Sequence, residues 1–457
     1  MQMYKKNIIL LVAICFVLSF TVGNDAFALN VIYAGDPAKN IVPKESAMII
    51  SRDENRTVIT VLPRYSYDGE HFGILIPLPK LVSDTQIKIG GLSAAENVLA
   101  YTSPRIASYK DVNPCTVKEG EPRAVLQEKQ IKFKRFGVNG DVLPDLAKAD
   151  VTIIDAEALK DKALADILKE KSLFIDKNYH STTDAYKTRG IEYALITLPR
   201  GEDGYRSLPA VQVAYESENF TLPIGLSGHA SDVAQDLTLV FITRDGMVIP
   251  KTLPVKKMVH DNILPVFVAD NFTESYDAIF KKSLLDDNFQ SVFLEYAGDV
   301  KWCPQCGMTK KLSVDNLKQL GAWWLDSLSM RTGSKKGAAI LDDIDNVYLT
   351  RLHLRHTGKT ILNSVDFTHS KDKNRFVTSY KVHKPFLDTP KCELGRLYKA
   401  QLPTQYQSQL DSYVGLTGLA VKEIKDLMEE NGQSFTVPMD ESEKNWWERM
   451  WGIGAQN

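Results

Sequence analysis

Strand-like segments follow one another in blocks along this sequence, and that order limits the fold classes open to it. AMIIS (47–51) and RTVITVL (56–62) flank a turn-rich Asp-Glu-Asn tripeptide, which predicts a β-hairpin. Because helical segments separate blocks of strands and do not alternate with single strands, the pattern favours an α+β, β-rich fold with mainly antiparallel sheets and a few interspersed helices. Further strands are predicted at 72–79, 192–198, 210–216, 219–224, 237–243, 263–269, 291–297, 347–356 and 375–383.

Local signals refine these segments. Pro77 and Pro79 are expected to end the strand that starts at Phe72, because proline lacks the N–H that a central strand needs. Asp245-Gly246 predicts a hairpin turn into MVIP. The clearest helix covers 155–171, with an apolar stripe of alanine, leucine and isoleucine, and Ser93 is predicted to cap a helix over 93–101. Other helices are predicted at 273–285, 314–326, 418–431 and 440–451.

The first 28 residues have the layout of a secretory signal peptide. Lys5 and Lys6 precede an uncharged apolar run over 8–20, and Ala26-Phe27-Ala28 supplies a small-x-small cleavage boundary. An uncleaved membrane anchor is the alternative, although the run is shorter than the ~20 residues that span a bilayer. We therefore expect export across the cytoplasmic membrane, with the mature chain periplasmic or extracellular and associated with the envelope.

The charge balance and the length of the mature chain restrict the kinds of partner and the number of lobes that we expect. Without residues 1–28 the 55 basic and 57 acidic residues become 53 and 56, and this near-balance argues against a nucleic-acid partner. The 429 residues from 29 to 457 suffice for two or three lobes. We expect one main domain over 29–385, with lobe edges near 150 and 300, and a mainly helical segment over 386–457.

Four cysteines remain after the signal: Cys115, Cys303, Cys306 and Cys392. An even number in an exported protein predicts disulfides, and the simplest of the three pairings joins Cys303 to Cys306 and Cys115 to Cys392.

The stretch KWCPQCG (301–307) also has two possible functional interpretations, a redox site and a zinc site. Cys303 could be the nucleophile of a thiol–disulfide oxidoreductase with Cys306 as its resolving thiol, but Gly307 follows at once and no βαβ unit surrounds the pair. A zinc site would need two further ligands at suitable spacing, which the sequence lacks. A structural disulfide is favoured, and no metal or cofactor is expected.

Other catalytic motifs are incomplete. Gly225-Leu226-Ser227-Gly228-His229 departs from the nucleophile elbow at its last position, and no His-Glu-x-x-His occurs. His353 and His356 lie three apart in a predicted strand, so their side chains point to opposite faces. The sequence thus favours a non-catalytic protein. The weakest alternative is a hydrolase whose catalytic residues belong to no recognisable motif.

The segment EKNWWERMWG places four large apolar side chains on one side of a predicted helix: Trp446, Trp447, Met450 and Trp451. This helix either folds back on its own domain or contacts a membrane surface or an envelope protein, since tryptophan suits both kinds of interface.

Several blocks, in order, resemble one bacterial family. Residues 45–79 and YTSPRIASYKDVNPC (101–115) look like the opening of the family called "domain of unknown function 2330", and 208–246, 302–326 and 347–370 are similar to later parts of it. The resemblance implies an exported, envelope-associated protein and no reaction. We therefore expect a non-catalytic binding or structural module of unknown partner, with a thiol–disulfide oxidoreductase using Cys303 and Cys306 as the alternative.

Overall fold

The fold is taken from a computed structural model, which describes only part of the chain. The described residues are 32–34, 41–43, 46–62, 65–67, 71–79, 83–89, 92–127, 131–134, 149–175, 180–199, 210–226, 235–244, 246–302, 312–325, 347–356, 364–388 and 391–436.

These residues form a mixed α+β structure with 34% helix and 34% strand. The strands are β1 (Ile32–Ala34), β2 (Ile41–Pro43), β3 (Ser46–Asp53), β4 (Arg56–Leu62), β5 (Tyr65–Tyr67), β6 (His71–Leu78), β7 (Ile87–Ile89), β8 (Arg105–Asp111), β9 (Ala124–Leu126), β10 (Lys132–Phe133), β11 (Asp150–Ile154), β12 (Glu192–Pro199), β13 (Val211–Glu216), β14 (Thr221–Leu222), β15 (Gln235–Thr243), β16 (Val248–Pro250), β17 (Val255–Lys257), β18 (Val292–Asp299), β19 (Tyr348–His356), β20 (Val365–His369), β21 (Phe376–Val377) and β22 (Ser379–Lys384). The α-helices are α1 (Leu92–Thr102), α2 (Ala158–Asp161), α3 (Leu164–Glu170), α4 (His180–Thr188), α5 (Phe272–Asp286), α6 (Val314–Gln319), α7 (Glu393–Thr417) and α8 (Val421–Glu430). Short 3₁₀ turns occur at Asp84–Gln86, Val266–Ala269 and Trp323–Leu325.

A large mixed sheet organises the molecule. Its strands lie in the order β17-β18-β19-β15-β3-β4-β13-β7, and β21 also pairs with β18. Most neighbours are antiparallel, but β15 runs parallel to β3 and β17 parallel to β18. The expected α+β class with mainly antiparallel sheets is confirmed.

Both faces of this sheet are covered, which explains why its central strands are almost continuously apolar. In β3, Met48 and Ile50 face one core, whereas Ala47 and Ile49 face the other. The first core is closed by β6 and β12 of a second sheet, ordered β1-β6-β12-β11, and by β14, β16 and β20. On the opposite face α1 and α6 cover one part of the sheet, and α5, α7 and α8 form a further core with β8 and β22.

Several local predictions are confirmed. The first hairpin is β3–β4, whose closing pair is Asp53 and Arg56. The helices predicted at 93–101, 273–285 and 418–431 correspond to α1, α5 and α8. Helix α1 starts at Leu92, so Ser93 lies in its first turn and is not its cap. The predicted helix at 314–326 is shorter than expected, with α6 followed by a 3₁₀ turn.

The predicted conformation is wrong for two segments. Residues 263–269 contain a 3₁₀ turn, Val266–Ala269, in place of a strand, because a short buried apolar run does not by itself distinguish the two. The helix predicted over 155–171 is divided into α2 and α3, because Ala163 between them is extended (φ −69°, ψ 146°). The break turns Leu164 and Leu168 into the core, where the expected stripe had Ala163 and Ile167.

Three strand boundaries also differ. Pro77 lies inside β6, opposite Tyr193. It is tolerated there because, among the described residues, β1 pairs with β6 only as far as Leu75 and no strand pairs with that side of β6 beside the proline. Asp245 lies outside the described residues, and the hairpin predicted there is not formed by its neighbouring strands, since β16 pairs with β20 and β15 with β19 and β3. The strand predicted at 375–383 is split into β21 and β22, which join different sheets.

Candidate functional site

Cys115 and Cys392 form a disulfide that joins two parts of the chain 277 residues apart. This is the pairing that the simplest arrangement of the four cysteines gave. Cys115 lies in the loop that follows β8, and Cys392 is the N-cap residue of α7, where its Sγ accepts a hydrogen bond from the Gly395 N–H at 3.3 Å. The bridge therefore fixes the loop over 112–123 against the start of α7.

A groove of about 1010 Å³ lies between this loop and α7. One stripe of α7 forms its long wall, from Leu394 to Ser412, which is about 27 Å at the helical rise of ~1.5 Å per residue. The opposite wall is the loop, with its charged side chains Lys118, Glu119, Glu121 and Arg123, while Ile263 and His383 complete the lining.

The two sides of α7 explain the groove. Leu402, Tyr406, Leu410 and Tyr413 are buried against α5 and α8, and the Tyr413 hydroxyl donates to the Ser275 Oγ at 3.0 Å. The neighbouring stripe is left uncovered, because no described element packs on it. Leu394 and Leu397 there are 60% and 51% exposed.

Polar groups accompany these leucines. Gln401 and Gln405 line the groove one helical turn apart, and within the described part of the chain their side-chain amides make no hydrogen bond. Gln409, further along the same wall, accepts a hydrogen bond from Gln433 at 2.7 Å. The wall therefore offers both apolar surface and free amide groups to a ligand.

One end of the groove holds an Asp–His–Tyr cluster. Asp111 Oδ1 is 3.4 Å from His383 Nδ1, and Asp111 Oδ2 accepts from the Tyr398 hydroxyl at 2.8 Å. Burial, together with the Asp111 carboxylate, raises the pKa of Tyr398 well above its ordinary value, so the phenol stays protonated as a donor. The cluster fastens α7 to β8 and β22. An Asp–His pair can also orient an imidazole as a base, but no described hydroxyl or thiol is hydrogen-bonded to His383 as a nucleophile would be.

A second polar cluster lies inside the protein, between the large sheet and α5. We call it the charge layer; it comprises Asp236, Glu295, Arg351, His353 and Arg355. Glu295 accepts hydrogen bonds from Tyr276 at 2.5 Å and from Arg351 Nε at 2.5 Å, and its Oε1 is 2.7 Å from His353 Nδ1. Asp236 binds Arg355 through both carboxylate oxygens.

The charge layer is sealed from solvent. The side chains of Glu295, Arg351 and His353 are no more than 1% exposed, and Phe280 stacks on the imidazole at 3.7 Å between centroids. Burial alone would raise the pKa of Glu295, but its electrostatic interactions with His353 and Arg351 outweigh burial and hold that pKa well below its ordinary value. Buried in this way, the charge layer joins the sheet to its covering helix.

The remaining predicted site residues lie outside the described residues. This holds for Cys303 and Cys306 and for the four C-terminal apolar residues Trp446, Trp447, Met450 and Trp451. Trp302, directly before the cysteine pair, packs on Tyr296, with 5.9 Å between ring centroids. Gly298 makes room for this ring, since a Cβ there would lie 2.6 Å from the indole.

Sequence reasoning singled out neither the groove nor the Asp–His–Tyr cluster. The only hint was YKDVNPC (109–115), where Asp111 precedes a cysteine of the expected disulfide. Within the described residues no group of three or more His, Cys, Asp or Glu side chains is placed to hold a metal ion. Among the helices that the structure describes, none has the length and apolarity to cross a bilayer.

Comparisons with known proteins give one family and two distant structures. Two crystal structures of mutated baculovirus P35 after caspase cleavage are similar at 10% and 12% identity, with TM-scores of 0.25 and 0.19. Each match covers 45% of this chain, and 73% and 72% of P35 respectively. Nothing about this chain is inferred from so slight a likeness. No curated protein matches the sequence. The model of a family described as "uncharacterized protein conserved in bacteria (DUF2330)" matches residues 28–368, about three quarters of the sequence, and the chain therefore belongs to that family.

Proposed function

We propose that this chain is an exported, non-catalytic binding module that holds a polypeptide segment in the groove along α7. The observation that carries the proposal is the stripe of α7 that no described element covers, where two exposed leucines and two side-chain amides without a described hydrogen-bond partner face a loop fastened by a disulfide. Preformed walls favour binding, because less conformational freedom is lost when the ligand arrives.

The chemistry of the groove favours a polypeptide over other elongated ligands. An acyl chain would cover Leu394 and Leu397 but leave the amides of Gln401 and Gln405 without partners, which costs free energy once water is excluded. An oligosaccharide would satisfy the amides and leave the leucines poorly covered. A polypeptide supplies apolar side chains and backbone hydrogen-bonding groups along one ligand, and a wall of about 27 Å exceeds the length of most small molecules.

Export is part of the proposal. A disulfide between Cys115 and Cys392 forms and persists in oxidising compartments, which agrees with the signal-peptide pattern of residues 1–28. We place the module in the periplasm or outside the cell, in contact with the envelope.

The test is selection of binders from a displayed library of random 12-residue peptides on the oxidised mature protein. We expect enriched peptides that contain clustered apolar side chains and bind at the groove. Leu397→Asp should weaken their binding about tenfold or more, because burying a leucine contributes about 1.5–3 kcal/mol.

A matched control is Leu285→Asp. Leu285 lies on α5 away from the groove and is 51% exposed, the same fraction as Leu397. Its variant should bind the selected peptides as the unaltered protein does. The proposal is overturned if no peptide is enriched, if both variants bind equally well, or if phospholipid vesicles or oligosaccharides bind in a Leu397-dependent way where peptides do not.

A further inference from the structure

The described chain leaves the folded body beside the groove. Gln433 is fully buried, accepts a hydrogen bond from the Val266 N–H at 2.9 Å and donates one to Gln409 Oε1 at 2.7 Å. Gln409 belongs to the groove wall. Two residues later Phe435 packs on Tyr406 of α7, with 6.4 Å between ring centroids. These contacts fix the starting point of everything that follows Thr436.

The sequence after this point carries an apolar ligand of the kind that the groove accepts. We call residues 440–451 the tryptophan segment; it contains Trp446, Trp447, Met450 and Trp451 within six positions. In a helix these side chains lie on one side, as the sequence analysis predicts. Exposing four such side chains to water is unfavourable, and the exposed leucines of the groove are apolar surface within the same chain.

The connection is long enough. An extended connection of four positions from Thr436 to Asp440 spans up to about 13 Å, and the predicted helix from Asp440 to Trp451 adds about 16 Å. Along α7, Leu397 lies twelve residues from Gln409, or about 18 Å. The segment can therefore reach both exposed leucines from the end of the groove where the described chain stops.

From these observations we infer that the tryptophan segment is the resident occupant of the groove, and that external polypeptides bind in competition with it. The inference rests on the proposed function of the groove. A connection of three residues between Thr436 and the tryptophan segment gives an effective concentration on the order of 1 mM, so a segment that binds with a dissociation constant of ~0.1 mM would reduce the affinity for an external ligand about tenfold.

The test compares two full-length proteins, the unaltered chain and a variant with Trp446→Ser, Trp447→Ser, Met450→Ser and Trp451→Ser. The probe is a fluorescent synthetic peptide of residues 440–457, and its binding is followed by anisotropy. We expect the serine variant to bind the probe about tenfold more tightly than the unaltered chain does. Adding Leu397→Asp to the variant should reverse the gain, and adding Leu285→Asp should not.

A second measurement uses the intact chain without any probe. Lys444 and Arg449 are tryptic sites within the tryptophan segment. Docking should protect them, so Leu397→Asp should accelerate cleavage there severalfold, whereas Leu285→Asp should leave the rate unchanged.

Failure of the inference differs from failure of the proposed function. If library peptides bind in a Leu397-dependent way, but the serine variant gains no affinity and Leu397→Asp does not change cleavage, the tryptophan segment is not the occupant and the binding function stands. If the cleavage effect is found but no external peptide binds even the serine variant, the groove serves only its own chain and the proposed function is wrong.

Discussion

Replacing Glu295 by glutamine tests the energetic role of the charge layer. Glutamine keeps the shape of the side chain but removes the negative charge that faces Arg351 and His353, all of them buried. Removing one partner of a buried ion pair costs about 3–5 kcal/mol, because the other charge is left uncompensated. Two unit charges 4 Å apart interact by about 4 kcal/mol at an effective dielectric constant of 20, which gives the same size of effect.

The assay is denaturant unfolding of the mature protein at pH 7, followed by tryptophan fluorescence. A loss of about 3–5 kcal/mol is a large part of the 5–15 kcal/mol by which a typical domain is stable. The denaturant concentration at which half of the protein is unfolded should therefore fall strongly. The matched control is Glu216→Gln, which breaks the surface pair with Arg56, whose two side chains are 62% and 63% exposed. That change should cost no more than about 1 kcal/mol.

The lowered pKa of Glu295 also predicts how the stability of the protein depends on pH. The pKa of Glu295 is lowered in the folded protein, so its contribution to stability is complete above the ordinary carboxyl value of 4.5 and is lost as pH falls from there towards the folded value. The unaltered protein should lose stability below about pH 5, and the Glu295→Gln variant should lose less over the same range. If Glu295→Gln is no more destabilising than Glu216→Gln, or if both proteins show the same pH slope, the reasoning about the charge layer is wrong.

Three further predictions concern the disulfide, the leader and the cysteine pair. The double variant Cys115→Ala, Cys392→Ala should be less stable by several kcal/mol and should bind peptides more weakly. In the chain-entropy model, closing a loop of 277 residues stabilises the folded protein by at most about 5–6 kcal/mol. Unchanged unfolding and binding would contradict this prediction. Mass spectrometry of the exported protein should find a mature chain beginning at Leu29, and a chain that keeps residues 1–28 would show an anchor instead. Titrated against glutathione buffers, the Cys303–Cys306 pair should resist reduction, with a potential below about −300 mV, whereas rapid exchange at milder potentials would support the oxidoreductase alternative.

Local pattern was enough to predict much of the fold. Apolar runs and turn residues located β3, β4, β12, β15, β18 and β19, because each is set by neighbours in the sequence. Helix α7 was not predicted individually. Pro403 lies inside α7 and the outward side of the helix is only partly polar, so the periodic pattern of apolar residues is weak. The helix does have end signals: Cys392 caps its start, and Gly418 in the left-handed conformation (φ +69°) ends it.

The groove depends on contacts that no local pattern encodes. Asp111 meets His383 and Tyr398 across 272 and 287 residues of sequence. The charge layer left a clearer trace. Arg351, His353 and Arg355 alternate with leucines in β19, which in a strand covered on both faces requires buried carboxylates opposite them. Their partners, Glu295 and Asp236, are fixed only by the pairing of β18 and β15 with β19.

Photo-crosslinking tests the binding groove most directly. A selected library peptide that carries one benzophenone side chain would be irradiated on the mature protein, and the crosslinked residues would be mapped by mass spectrometry. We predict crosslinks to α7 between Leu394 and Ser412 and to the loop over 112–123, and their loss in Leu397→Asp but not in Leu285→Asp. Crosslinks spread over other surfaces, or unchanged by Leu397→Asp, would contradict the assignment of this groove as the site where the protein holds its ligand.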